Sequence, residues 1–145
     1  MLSVVFRRLG TAAERSRARR MLDAGGSVYR SPRLGGGVVW YGLHDLTAAN
    51  GAAPEAAAAA LPMSARVLEV CAIVVPTGVR QDALRGRLVR ELTDAGRARG
   101  AQWVVAGAVD VQAEDFLRRE GFTPVAARDL GLRELDPIAW WALEI

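Results

Sequence analysis

The sequence predicts an α/β domain, with a central mixed β-sheet flanked by helices. Strand-like and helix-like segments alternate along the chain. The apolar runs 66–75 and 103–109 are nearly continuous rather than alternating, as in strands covered on both faces. Between them, apolar residues recur at helical spacing, and a strand, helix, strand order implies a right-handed parallel crossover. At 145 residues the chain can bury one core without disulfides or metals, so 1–145 is read as a single domain.

The elements follow in order. "LSVVFRRL" (2–9) reads as a first strand and "TAAERSRARRML" (11–22) as a helix. Thr11 and Glu14 have capping-box spacing there, and Gly25 and Gly26 end the helix. "SVYRS" (27–31) and "GVVWYGLHD" (37–45) are rich in β-branched and aromatic residues. They flank the turn "PRLGG", which predicts an antiparallel hairpin. The stretch 46–65, with its alanine run between Pro54 and Pro62, reads as a short helix or a surface connection and is assigned no chemistry.

In the second half, a strand over 66–75 precedes a helix from about Asp82 to Arg99. That helix carries Leu84, Leu88, Leu92 and Ala95 on one stripe, and Gly100 stops it. "WVVAGAV" (103–109) is a buried strand. "QAEDFLRREGF" (112–122) is a second helix, in which Gly121 supplies the left-handed C-cap and Phe122 folds back on Leu117. "PIAWWALEI" (137–145) makes the last strand. Trp140 and Trp141 alternate across it, one toward a core and the other available to a partner, which allows a homodimer.

Composition narrows the functional classes. Hydrophobic residues make up 51% and charged residues 24% of the chain, a globular profile. Every basic residue is Arg and none is Lys. With abundant Ala, Gly and Val, that reflects a GC-rich coding genome, so the pI near 9.9 says little about nucleic acid. Arg15, Arg17, Arg19 and Arg20 spread around their helix rather than forming one stripe with interleaved aromatics, which ranks nucleic-acid binding low. Cys71 is the only cysteine and sits in "VLEVCAIVV", a buried packing position, so a cytoplasmic location is expected. No segment approaches the ~20 apolar residues that span a bilayer, and the start is too short in apolar residues for a signal peptide. No Cys/His cluster suggests a metal.

From about Arg66 to Val125 the chain resembles the core of the GNAT acetyltransferase superfamily. The resemblance rests on a strand ending in Val-x-Pro, a helix with a phosphate-binding start, a further strand, and a motif of the form Asn-x-x-Ala-x-x-Phe-Tyr-x-x-x-Gly-Phe. Here the last motif reads Asp110, Ala113, Phe116, Leu117, Gly121, Phe122. The family's phosphate cradle is Arg/Gln-x-x-Gly-x-Gly/Ala, in which small residues let backbone N–H groups approach the coenzyme A pyrophosphate at a helix N-terminus. One register places Arg80, Ala83 and Arg85 on those positions. The other places Gln81, Leu84 and Gly86 there. The first aligns without a gap back from Gly100 through Leu92 and Leu88. Either way a glycine is missing, and arginine charge from Arg80, Arg85 and Arg87 would have to compensate.

The resemblance implies the GNAT fold, with parallel strands 67–75 and 103–109 splayed to admit the pantetheine arm of acetyl-CoA. It also implies that main chain near Val74 and Val75 polarises the acetyl carbonyl, and that Asp110 and Phe116 line the cofactor site. The activity implied is acetyl-CoA-dependent N-acetylation of a primary amine on a small molecule or peptide. The alternative is a catalytically degenerate GNAT-fold protein that binds an acyl-CoA or a protein partner. Amine acetylation needs a base. Glu69 is the only acid in its strand and the first candidate; His44, the one histidine, is the second. The family's tyrosine acid is replaced by Leu117.

Overall fold

A computed structural model describes residues 3–24, 27–47 and 53–145. Its spine is an eight-stranded sheet in the order β1 (Val4–Arg8), β3 (Val39–Asp45), β4 (Ala56–Pro62), β5 (Val67–Val74), β6 (Trp103–Ala108), β8 (Ala139–Glu144) and β7 (Thr123–Pro124), with β2 (Ser27–Arg30) paired to β5 off that path. Only β5 and β6 run parallel; every other pair is antiparallel. The sheet is therefore mixed, antiparallel early and parallel across the crossover, as the sequence predicts.

Helix α1 (Ala12–Asp23) covers one face of the sheet, while α2 (Gln81–Ala98) and α3 (Val111–Arg119) cover the other. Thr11 caps α1 by accepting from the Glu14 N–H at 3.1 Å. Gly25 and Gly26 lie outside the described residues. On α2, Leu84, Leu88 and Leu92 are buried against the sheet together with Phe116 of α3. Burying each leucine contributes about 2 kcal/mol. At the end of α3 the Phe122 N–H bonds the Leu117 carbonyl at 3.0 Å and the Gly121 N–H bonds that of Arg118 at 3.1 Å, with Gly121 at φ 90°. Both bonds of the Schellman motif are thus present, and Phe122 and Leu117 share one core.

Three expectations fail. The alanine run is neither a helix nor a surface connection: it is β4, a central strand buried between β3 and β5. Alanine favours helix locally, but the span between Pro54 and Pro62 is too short to hold a helix alone, and tertiary pairing decides. Its small side chains leave room that neighbours fill. Trp40 and Tyr41 of β3 stand opposite Ala59 and Ala58.

The hairpin over 27–45 does not form. Both edges of β3 are taken by β1 and β4, and β2 pairs with β5 instead. The turn after Ser31 is real, with the Leu34 N–H bonding the Ser31 carbonyl at 3.2 Å, but it leads away from β3 pairing. Lastly, neither tryptophan is free for a partner. Trp140 and Trp141 do point to opposite faces, yet both are buried, each in its own apolar cluster. Among the described residues, no helix is long and apolar enough to cross a membrane.

Candidate active site

The site is created by one irregularity in β5. Ala59 of β4 stands opposite Ala72, but Ala60 stands opposite Val70, so Cys71 is an extra residue. Such a bulge bends its strand and sharpens the local twist. Parallel pairing with β6 covers only Val67–Glu69 against Trp103–Val105 and stops just before the bulge. Beyond it the two strands fork, which is the splay that the resemblance implies.

The fork is filled. Ser27, Tyr29 and Arg30 of β2 stand opposite Val74, Ile73 and Ala72, and the Ser31 N–H bonds the Cys71 carbonyl at 2.9 Å. Tyr29 spans the gap: its hydroxyl donates to the Gly107 carbonyl on β6 at 2.6 Å, and its ring stacks on Phe116 at 5.7 Å. Val74 lies between Ser27 and Ala57, so its main chain sits inside the sheet instead of facing an open slot. Val75 is fully buried in the core on the α2 side.

Glu69 lies at the base of the fork with 0% exposure. The Arg33 Nε–H points at its carboxylate, 3.2 and 3.1 Å from the two oxygens. The same guanidinium lies over the Trp140 ring at 5.3 Å and donates toward the Met63 sulfur at 3.7 Å. Burial raises the proton affinity of Glu69 above the ordinary carboxylate range, and Arg33 opposes the rise without cancelling it. Cys71 next to it is a free, buried thiol whose pKa is pushed up to about 12, chiefly by burial.

His44 is elsewhere. Glu69 is level with Leu61, and the adjacent Ala60 is level with Val39. His44 stands five residues farther along β3, on the order of 16 Å away. Its ring is buried with neither nitrogen hydrogen-bonded, and burial, followed by Arg7, lowers its pKa.

A cleft of about 580 Å³ opens between the N-termini of α2 and α3 and is floored by Tyr29 and Phe116. Arg30, Arg85 and Arg119 line it, opposed by Asp82, Asp110 and Asp115. Arg85 is held by Glu120 at 2.6 Å and by Asp82 at 3.1 Å. Asp110 caps α3, accepting from the Ala113 N–H at 2.8 Å. Gln81 also lines the cleft, whereas Arg80 is outside it, paired with Glu55 at 3.0 Å. Ala83 is exposed and Leu84 is in the core, so Ala83 rather than Leu84 lies on the open side of the helix start. A Cβ added at Gly86 would meet no protein atom.

Arg33, Tyr29, Arg30 and Arg119 are the site residues that sequence reasoning missed. Arg33 and Glu69 are 36 residues apart, and no local pattern links them. Among the described residues, no group of three or more His, Cys, Asp and Glu side chains gathers as a metal site would require.

Two helix N-termini and the guanidinium groups of Arg30, Arg85 and Arg119 give the cleft donors for an anion, set against the carboxylates of Asp82, Asp110 and Asp115. No family model matches the sequence, and no curated protein is significantly similar to it. The fold is another matter: this chain has the fold of the GNAT acetyltransferases. It superposes on an aminoglycoside 6'-acetyltransferase type Ii with a TM-score of 0.66 at 16% identity, covering 97% of this chain and 96% of that one. A GNAT family acetyltransferase from Elizabethkingia anophelis, solved with acetyl-CoA bound, gives 0.60 at 9% identity over 99% of each chain. An agmatine N-acetyltransferase gives 0.63 at 16% identity, over 98% of this chain and all (100%) of that one.

Proposed function

We propose that this protein is an acetyl-CoA-dependent N-acetyltransferase acting on a primary amine of a small molecule or peptide. The observation that carries the reading is the cleft between the α2 and α3 N-termini, floored by the segment that fills the fork, in a fold shared with an acetyltransferase solved with acetyl-CoA bound. When bound, acetyl-CoA supplies the acetyl group as a thioester. Arg85 and Arg119 hold phosphate oxygens, and the N-terminal turn of α2 adds the Ala83 main-chain N–H, that of Gln81 being taken by the Gly78 carbonyl at 3.2 Å.

Glu69 is the base. It takes the proton that the amine must lose, directly or through water, and its burial makes it a better proton acceptor than an exposed carboxylate. Leu117 is buried in the core, so no side chain at that position protonates the departing thiolate.

Titration calorimetry and acetyl-transfer assays test this together. Arg85→Ala should weaken acetyl-CoA binding by about 1–3 kcal/mol, and wild-type affinity should fall with salt. Glu69→Gln should still bind acetyl-CoA and cut the transfer rate on a responding amine at least about 100-fold. Equal rates for Glu69→Gln and wild type would remove Glu69 from the mechanism.

A second reading, a non-catalytic acyl-CoA or protein binding module, is favoured by one observation: Arg33 neutralises the candidate base. Wild type that binds acetyl-CoA but transfers no acetyl group to any of a panel of amines, including aminoglycosides and agmatine, would select it.

A further inference from the structure

The segment that fills the fork is laddered to the sheet along one edge only. Strand β2 is four residues long and among the described residues it pairs with β5 alone; its register slips at Val28. Its attachment to β6 is the Tyr29 hydroxyl bond to Gly107 rather than a strand ladder. On its C-terminal side the chain runs through Gly35, Gly36 and Gly37. At Gly36 and Gly37 an added Cβ would meet nothing, so the connection is open at these two positions, between Leu34 and Val38, which pack on the core. Val28, Tyr29 and Arg30 line the cleft on its inner side. Arg33, the counterion of Glu69, lies three residues past the end of β2.

We infer that segment 27–33 is a displaceable strand that closes the fork against acetyl-CoA, and that its withdrawal uncovers the arm's slot and removes Arg33 from Glu69 in one movement. This deepens the acetyltransferase reading and rests on it. With β2 in place, the edge of β5 beyond the bulge is already paired and the base candidate at the fork, Glu69, is already neutralised, so the protein is closed in two respects by one segment. Opening needs no rearrangement of β5 or β6, whose own pairing ends at Glu69. Apparent affinity then equals intrinsic affinity multiplied by the open fraction, so whatever loosens β2 tightens ligand binding.

The test compares wild type with Tyr29→Phe, which keeps the ring on Phe116 and loses only the hydroxyl. Acetyl-CoA is titrated calorimetrically into both, and amide hydrogen exchange is followed at residues 27–31 and 72–74 with and without acetyl-CoA. Tyr29→Phe should bind about five-fold more tightly, the effect of losing the hydroxyl's bond across the fork to Gly107. Added acetyl-CoA should accelerate exchange at 27–31 while 72–74 stay protected. Binding that is equal or weaker in Tyr29→Phe, with 27–31 still protected in the complex, overturns the displaceable strand and leaves the acetyltransferase reading standing. No binding by either protein at millimolar acetyl-CoA removes the acetyltransferase reading, and the inference falls with it.

Discussion

Arg33 is the counterion of a carboxylate that has no access to solvent: its Nε lies 3.1 Å from an oxygen of Glu69, at a side-chain exposure of 26% against 0%. Such pairs are costly to break from one side, because the partner is left charged, buried and alone. Arg33→Gln should therefore destabilise the protein by about 3–5 kcal/mol near pH 8. The sign with pH follows from Glu69. Without Arg33, the folded-state proton affinity rises further above the ordinary carboxylate value. At low pH, folded and unfolded chains both carry the neutral acid and the loss is small. As pH rises through the unfolded pKa, the unfolded chain ionises freely, the folded one does not, and stability drops until the folded pKa is passed. Urea denaturation at pH 5 and pH 8 should show the smaller loss at pH 5, and adding Glu69→Gln should recover most of it. An equal loss at both pH values would assign the effect to packing on Trp140.

His44 gives the opposite slope. Its folded-state pKa is depressed, by burial first and then by Arg7, with Glu14 opposing. The folded protein therefore resists protonation, and this resistance costs nothing above the unfolded pKa, about 6.5. Below it the unfolded chain takes up a proton that the folded chain does not, so stability falls as pH drops from about 7 toward 5. In His44→Phe that part of the acid sensitivity should vanish. A urea midpoint that shifts equally with pH in both proteins would show that His44 is not its source.

Ala58 separates propensity from packing. Valine is the better strand former, but Ala58 is fully buried at the centre of the core on the α2 side, opposite Tyr41 and Ile73. Ala58→Val should lower stability by about 1–3 kcal/mol through overpacking. Thermal unfolding that shows a gain instead would mean that the layer spacing has slack.

What was legible in the sequence was what short-range physics decides. The leucines of the α2 stripe, the capping pair Thr11 and Glu14, and the Gly121 end of α3 each depend on residues within a few positions and form as predicted; only Ala95 departs from the stripe, half-buried where Thr93 and Gly96 face the core. Segments whose fate rests on distant partners were misread. The alanine run carries a helical preference that only the edges of β3 and β5 override. The 27–31 strand carries a turn signal toward β3, but the edge available to it is on β5. The candidate site divides in the same way. Glu69 and the helix starts were visible as residue types at the right spacing, whereas Arg33 and Tyr29 acquire their roles only through contacts across the fork.

The extra residue at Cys71 divides one edge of β5 between two neighbours, a parallel strand from downstream below it and a short antiparallel strand from upstream above it. The two halves are thereby uncoupled as units of inheritance. The exposed glycine turn over 35–37 can be lengthened or trimmed without touching the crossover that holds α2, which is anchored below the bulge at Val67–Glu69. A lineage carrying this joint can try new turns above the bulge one at a time while the crossover below it keeps its own anchor.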